Sequence, residues 1–301
     1  MSFSSDCKTE LCRDKIERKC CALAEAYGVL LYSSCFSPSE IRICTSCEAF
    51  AARLPRLIKK PFSLSFDTLP PEKPEGKRVF SIISPEKTAV IFNAFGLDMK
   101  TGVSHHINFS MLEEDCCRLS FVRGAFLAGG SVTDPEKRFH LELSTGHASV
   151  SRELLSILLD LGFSPRESSR SAASLLYFKR ADDIADFLAS IGASSASLGV
   201  ATAKVEKEMR NTVTRQINCD SANADKTVAA AQQQLAAIKS FVSKNGLDAL
   251  PEPLRDAAFL RIANPEASLS DLARLSSPAV SKSCLSHRLN KIISLSKEVS
   301  G

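Results

Sequence analysis

The sequence lacks long hydrophobic runs: in its 301 residues, no apolar stretch approaches the roughly 18 residues that a membrane-spanning helix requires. Its first twenty residues carry charges throughout and contain no apolar segment of the kind found in signal peptides. We therefore expect a cytoplasmic protein that makes no membrane contact.

A large excess of one charge is also absent. Lysine and arginine total 38, aspartate and glutamate total 34, and the formal net charge is only +4. Because the whole chain is not a polycation, nucleic-acid binding has to come from local basic patches. The hydrophobic content of 44% is ordinary for proteins that bury a core, which disfavours disorder, and the length allows about two domains.

The sequence also lacks a set of cysteine and histidine motifs at metal-binding spacing. Cys44 and Cys47 form a lone CxxC, and no second CxxC or histidine pair follows at zinc-finger spacing. Eleven cysteines is an odd number, in a chain too long to need disulfides in place of a core. We expect reduced, mostly buried thiols, and we assign no metal and no cofactor.

What the sequence does contain is an internal repeat. Residues 20–36 (CCALAEAYGVLLYSSCF) align without gaps on residues 116–132 (CCRLSFVRGAFLAGGSV), at an offset of 96. Identities at this offset pair Cys20 with Cys116, Cys21 with Cys117, Leu23 with Leu119, Gly28 with Gly124 and Leu31 with Leu127. The same offset pairs Gly96 with Gly192, each predicted to end a helix, so the repeat extends over the whole unit.

Both copies follow one order of elements: helix, strand pair, helix, strand pair, helix. The opening helices are rich in glycine and alanine, and small residues let two helices approach closely. We expect these helices to pair across a pseudo-twofold axis, with the two sheets forming a saddle suited to a duplex. The clearest strands are predicted at 40–46, 77–84, 138–145 and 173–180.

After residue 250 the pattern changes to three short helices, the arrangement of a helix-turn-helix. In the second of them, Ser268 is predicted to cap a helix that buries Leu269, Leu272 and Leu275. A turn follows at 276–278.

The third helix is amphipathic, with Ser281 as its predicted N-cap and a buried stripe of Leu285, Leu289, Ile292 and Ile293. Its polar face is what a major groove would meet. Residues 276–301 contain four basic residues against one acidic residue. The predicted DNA contacts are Ser281, Lys282, Ser283, Ser286, His287, Arg288, Asn290 and Lys291.

A helix-rich connector precedes this domain. Lys204, Lys207, Arg210 and Arg215 lie roughly on one helix face, which either touches phosphate or packs on the neighbouring domain. Lys207, Arg210 and Arg215 are the candidate contacts to the DNA backbone. The predicted domains are a duplicated domain at 1–198 (repeats at about 14–100 and 110–196), the connector at 199–249 and the helix-turn-helix at 250–301.

The string FVRGAFLAGGSVTDPEKRFHLEL, beginning at Phe121, resembles the second repeat of the WhiA family and, behind it, the LAGLIDADG motif of homing endonucleases. EMRNTVTRQINCDSANADKTVAAA at 208–231 and SKSCLSHR at 281–288 are also similar to WhiA segments. The resemblance implies an α+β fold: a pseudo-twofold, LAGLIDADG-like domain joined to an all-α helix-turn-helix, whose third helix is the recognition helix.

In endonucleases of that type, the last acidic residue of the motif binds a divalent metal. The motif falls on Val122 to Gly130, so that position is Gly129 here and Ser33 in the first repeat. Neither supplies a carboxylate, and we therefore expect no nuclease activity. The competing hypothesis is a divergent nuclease that recruits Asp134 or Glu136, and a third is a sensor of small molecules or proteins.

The favoured hypothesis is a sequence-specific transcription regulator. Its expected partner is double-stranded DNA at promoters, and it is expected to be monomeric and associated with the nucleoid. The WhiA resemblance further implies a role in sporulation, cell division or chromosome segregation, with a WhiB-type regulator or RNA polymerase as a protein partner.

Overall fold

The computed structural model describes residues 2–71, 76–98, 105–170 and 173–298, which form two compact units, Met1–Lys207 and Glu208–Gly301. The first unit is mixed helix and sheet, and the second is all helical, as the sequence predicted. Across the described ranges, no helix is both long enough and apolar enough to cross a bilayer. The domain boundaries proposed at 198 and 249 stay predictions.

The first unit begins with helix α1 and continues into the first repeat. Its sheet is antiparallel, in the order β1-β2-β3, and Ile41 and Ile43 of β2 point into the core while Arg42 between them is exposed. The elements are α1 (Phe3–Arg13), α2 (Lys19–Leu31), β1 (Cys35–Phe36), β2 (Ile41–Thr45), α3 (Glu48–Phe62), β3 (Arg78–Ile82) and α4 (Pro85–Ala94).

The second repeat has the same order with one more strand. Its antiparallel sheet runs β4-β5-β7-β6. The elements are α5 (Asp115–Gly129), β4 (Gly130–Val132), β5 (Leu141–Thr145), α6 (Ala148–Asp160), β6 (Arg166–Arg170), β7 (Ala173–Phe178) and α7 (Ala181–Ile191). Gly192 closes α7 at φ +104°, and Gly96 follows α4 at φ +67°, so the predicted left-handed glycines are confirmed.

The predicted second strand pair of the first repeat is only partly correct. Within the described residues, β3 is the only strand of that pair, and Thr68 forms an isolated antiparallel bridge to Ser81. The chain before β3 therefore touches the sheet without forming a ladder. The expected saddle shape stays a prediction.

Helices α2 and α5 pack against each other along the pseudo-twofold axis, as predicted from their small residues. An ideal Cβ on Gly28 would lie 2.1 Å from the carbonyl oxygen of Phe121, and one on Gly124 would lie 2.1 Å from that of Glu25. These contacts are reciprocal under the 96-residue offset. Glycine is therefore required at both positions, because backbone atoms occupy the space of a side chain.

A buried ion pair joins α2 to α3. Arg53 Nε and Nη2 donate to the Glu25 carboxylate at 2.6 and 2.8 Å, and the two side chains are 5% and 3% exposed. Arg53 Nη1 also donates to the Asp14 carbonyl at 2.6 Å. The bidentate geometry satisfies both charges in the core, so removal of either side chain would leave the other charge buried without a partner.

The second unit is built on the end of α8 (Ser194–Asn245) and three short helices, α9 (Glu252–Ala263), α10 (Leu269–Leu275) and α11 (Lys282–Glu298). Helix α11 packs on both α9 and α10. The core of this unit comprises Ile238, Phe241, Leu250, Ala257, Ala258, Leu272, Ala273, Leu285, Leu289 and Ile292.

Three apolar assignments in this unit were wrong. Leu275 was expected to be buried and is 56% exposed, and Ala273 is buried instead. At about 100° per residue, Leu275 lies about 60° around α10 from Leu272 and about 160° from Ala273, so it falls at the edge of the apolar stripe. Leu269 of α10 and Ile293 of α11 are half-buried rather than buried.

The expectation of mostly buried cysteines was also wrong. Only Cys7, Cys47 and Cys117 are buried among the eleven, all of which lie in the described ranges, while Cys20 and Cys219 are exposed. Burial raises the pKa of the Cys7 thiol to about 12. Cys47 precedes α3 and lies 3.8 Å from the Thr9 hydroxyl.

Gly124→Ala is expected to destabilise the first unit by about 1–3 kcal/mol, because the new methyl group meets the backbone of α2. The matched control is Gly146→Ala, since nothing lies within 4 Å of a Cβ built on Gly146. Denaturant unfolding followed by circular dichroism measures both. Equal unfolding midpoints for the two variants would contradict the helix crossing.

Glu25→Ala is expected to cost about 3–5 kcal/mol of unfolding free energy, because it leaves the Arg53 guanidinium buried without its partner. Glu40→Ala removes an equivalent partner from Arg42 in a pair whose side chains are 46% and 32% exposed, so its unfolding midpoint should barely change. The same unfolding experiment compares them, and a Glu25→Ala midpoint near that of Glu40→Ala would refute the role of the buried pair.

Candidate nucleic-acid interface

The two positions where a homing endonuclease holds its metal have no carboxylate. The Ser33 hydroxyl bonds to the carbonyl oxygens of Leu30 and Cys35, at 2.7 and 3.0 Å. A Cβ built on Gly129 would lie 2.4 Å from the Ser144 carbonyl oxygen and 2.7 Å from Tyr32 Cδ1. An aspartate therefore does not fit at Gly129 unless the surrounding backbone moves.

Nearby acidic residues have structural contacts of their own. Asp134 Oδ1 accepts the Glu136 amide at 3.0 Å within a turn. The Glu142 carboxylate lies 3.3 Å from the Ser131 hydroxyl and 3.2 Å from His140 Nε2. In the part of the chain that the structure describes, no three carboxylates converge as a metal site would need.

Helix-capping hydrogen bonds shape the helix-turn-helix. Ser268 Oγ accepts the Asp271 amide at 3.2 Å and donates to the Asp271 carboxylate at 2.7 Å, so the predicted cap of α10 is confirmed. Ser276 Oγ accepts the Val280 amide at 3.0 Å within the turn. These bonds satisfy backbone groups that the short helices leave without partners.

A buried arginine holds the turn between α9 and α10. Arg261 is 1% exposed, and its Nη1 donates to the Ala267 carbonyl at 2.7 Å and to the Asn264 carbonyl at 3.4 Å. Burial lowers the pKa of this guanidinium from its ordinary value. Sequence reasoning missed Arg261, because nothing in its local pattern separates it from a surface arginine.

The N-terminus of α11 is capped as predicted, because Ser281 Oγ accepts the Cys284 amide at 3.2 Å. Leu285, Leu289 and Ile292 face the core. On the opposite side, Ser283, Ser286, His287 and Asn290 fall within about 100° of arc at the helical turn angle. Of the predicted contacts, six are exposed: Ser281, Lys282, Ser283, His287, Asn290 and Lys291.

The remaining two predicted contacts on α11, Ser286 and Arg288, are half-buried. Arg288 lines a cavity of about 530 Å³ together with Glu252, Asp256 and the 276–278 turn. It therefore lies on the flank of α11 that faces α9, about 140° around the helix from Ser283.

The basic residues of the connector divide into two groups. Lys204 Nζ pairs with the Asp182 carboxylate at 2.7 Å. Lys207 Nζ donates to the Pro135 carbonyl at 2.6 Å and lies 4.6 Å from the Phe139 ring centroid. Packing is thus the role the geometry favours for these two lysines, whereas Arg210 and Arg215 have exposed side chains.

A set of cysteines was missed as a group. Cys20 and Cys21 of α2 meet Cys116 and Cys117 of α5, and within the described residues this is the only cluster of three or more potential metal ligands. In the sequence these residues served only as marks of the repeat. The signal that could have identified the group is the Cys-Cys pair, which recurs at the start of α2 and of α5.

Comparison with known proteins matches both parts of the chain. Residues 118–210 match the family model of the WhiA LAGLIDADG-like domain, and residues 213–296 match that of the WhiA C-terminal HTH domain. The structure also resembles that of full-length DUF199/WhiA from Thermatoga maritima. The TM-score is 0.60 at 24% identity, and 99% of each chain is covered.

Curated relatives extend the similarity over the full length. "Probable cell division protein WhiA" of Ruminiclostridium cellulolyticum is 35% identical over 308 residues, covering 99% of this chain and 98% of the relative. The protein of the same name from Staphylococcus haemolyticus is likewise 35% identical, with the same coverage. With both domain models matched and this identity sustained along the chain, the protein belongs to the WhiA family.

Proposed function

We propose that this protein is a sequence-specific DNA-binding transcription regulator without nuclease activity. The observation that carries the proposal is the outer face of α11, where exposed polar and basic side chains lie opposite a buried leucine and isoleucine stripe. A capped helix with such a face is what a helix-turn-helix inserts into a major groove.

The side chains of that face fall into two groups, according to the part of the DNA that they would contact. Asn290 and His287 offer hydrogen-bonding groups of the kind that recognise base edges, with Ser283 and Ser286 beside them. Lys282 and Lys291 supply positive charge for phosphates, and the N-terminal end of α11 adds the backbone amides and partial positive charge that anions bind. Arg288 contributes from the flank.

The first unit contains a LAGLIDADG-like domain and has no carboxylate at Ser33 or Gly129. We propose that it adds phosphate contacts or protein contacts to binding by α11. Arg210 and Arg215 are the better candidates for the DNA backbone, because both side chains are exposed whereas that of Lys207 is half-buried. The division into a duplicated domain, a connector and a helix-turn-helix is part of this proposal.

The cellular role follows from the relatives. Curated members that resemble this chain are named as probable cell division proteins. We propose that this protein regulates genes for cell division, chromosome segregation or sporulation, as a nucleoid-associated monomer. RNA polymerase or a WhiB-type regulator is the proposed protein partner.

Asn290→Ala is expected to reduce discrimination between a bound genomic site and a scrambled duplex by about 1–3 kcal/mol, through loss of a base contact. Lys291→Ala should weaken binding to both duplexes and lower the slope of log affinity against log salt by about one. Fluorescence anisotropy at several salt concentrations measures both effects.

The control for these variants is Lys239→Ala, an exposed lysine on α8 of the same unit, which should leave affinity and salt slope near the wild-type values. Unchanged discrimination in Asn290→Ala, or equal binding of every genomic fragment by the wild type, would refute sequence recognition by α11.

Supercoiled plasmid incubated with the protein and Mg²⁺ or Mn²⁺ is expected to stay supercoiled, because the two metal positions hold Ser33 and Gly129. Agarose gels resolve nicked and linear products. Cutting by the wild type that disappears in Asp134→Asn or Glu136→Gln would establish the divergent nuclease; cutting that persists in both variants would indicate a contaminating enzyme.

A further inference from the structure

Four cysteines lie close together at the N-terminal ends of α2 and α5. Cys20 and Cys21 are the second and third residues of α2, and Cys116 and Cys117 are the second and third residues of α5. The four Sγ atoms all lie within 4.8 Å of one another. Adjacent Sγ atoms are 4.0 Å apart in each pair. The duplication thus places one Cys-Cys pair on each side of the pseudo-twofold axis.

These distances fit a single tetrahedral cation. Zinc bound by thiolates at about 2.3 Å requires neighbouring sulfurs at about 3.8 Å, close to the separations here. A four-iron cluster needs its thiolates farther apart, because iron and sulfide ions stand between them. Four thiolates without nitrogen or oxygen ligands also form the set that selects zinc among abundant divalent cations.

Positive groups lie beside the cluster. The positive ends of the two helix dipoles meet at the cluster, because all four cysteines lie in first turns. Arg18 Nη1 lies 3.9 Å from Cys116 Sγ and offsets part of the negative charge that four thiolates and one divalent cation leave.

The cluster is also accessible. Cys21 and Cys116 line an open cleft together with Arg18 and Ser120, whereas Cys117 is buried on the inner side. A cation can enter from this cleft and be held against the helix ends.

We propose that Cys20, Cys21, Cys116 and Cys117 bind one Zn²⁺ ion as a structural tetrathiolate site. Each ligand gives up its thiol proton when it binds, and no electrons are transferred. The bound ion links the first turns of α2 and α5 and so fastens the two repeats to each other across their axis.

The test is the metal content of the full-length chain, measured by inductively coupled plasma mass spectrometry after dialysis against zinc-containing and then metal-free buffer. We expect one zinc per chain in the wild type, and loss of that zinc in Cys20→Ser and in Cys117→Ser. The control is Cys219→Ser, an exposed cysteine on α8 outside the cluster, which should keep the wild-type zinc content.

Two further measurements keep the proposal falsifiable if Cys117→Ser does not fold. Replacement of zinc by Co²⁺ in the wild type should give the charge-transfer and visible bands of tetrahedral cobalt thiolate. Removal of zinc by a chelator should lower the thermal midpoint of the wild type and leave that of the exposed-site variant Cys20→Ser unchanged.

Several outcomes would overturn the site. One is a wild-type chain that retains no zinc while alkylation and mass spectrometry count four unprotected thiols or two disulfides among these cysteines. Others are bound iron in place of zinc, or zinc retained equally by Cys20→Ser and Cys219→Ser.

Discussion

The close approach of α2 and α5 is the contact on which the first unit depends. Where they cross, each helix presents a glycine to a carbonyl of the other, so two backbones touch with no side chain between them. Beside this crossing, Tyr27 of α2 and Phe121 of α5 meet edge to face, with ring centroids 5.5 Å apart, and Tyr27 also stacks on Phe95 of its own repeat. Both sheets take their positions from this one crossing.

Crowding also determines what the positions equivalent to the metal ligands of LAGLIDADG endonucleases can hold. The end of α5 lies against Tyr32 and the Ser144 carbonyl, and the space for a side chain at Gly129 is already filled. In the first repeat, Ser33 uses its hydroxyl to close the last turn of α2. The positions that held metal in endonucleases now serve packing and capping, which leaves recognition to other surfaces.

Features set by local chemistry were predictable from the sequence. The caps at Ser268 and Ser281 and the left-handed Gly192 depend on residues within a few positions of each other. The exposure of Leu275 was not, because Leu275 lies at the edge of the apolar stripe of a seven-residue helix and tertiary packing decides which edge of that stripe is covered. The outer face of α11 followed from helical periodicity, whereas the half-burial of Arg288 depends on where α9 lies.

The cysteine cluster shows a different limit. Each Cys-Cys pair is visible in the sequence, yet no spacing rule joins residues 96 positions apart unless the helix crossing is known. The crossing at Gly28 and Gly124 also brings the first turns of α2 and α5 together. These turns lie about 10 Å from the crossing along each helix axis, at 1.5 Å per residue. Glycine contact fixes the distance between the helices, and a cation between the four sulfurs fixes their ends against sliding and rotation. The proposed ion would therefore hold the two repeats in register at the N-terminal ends of α2 and α5.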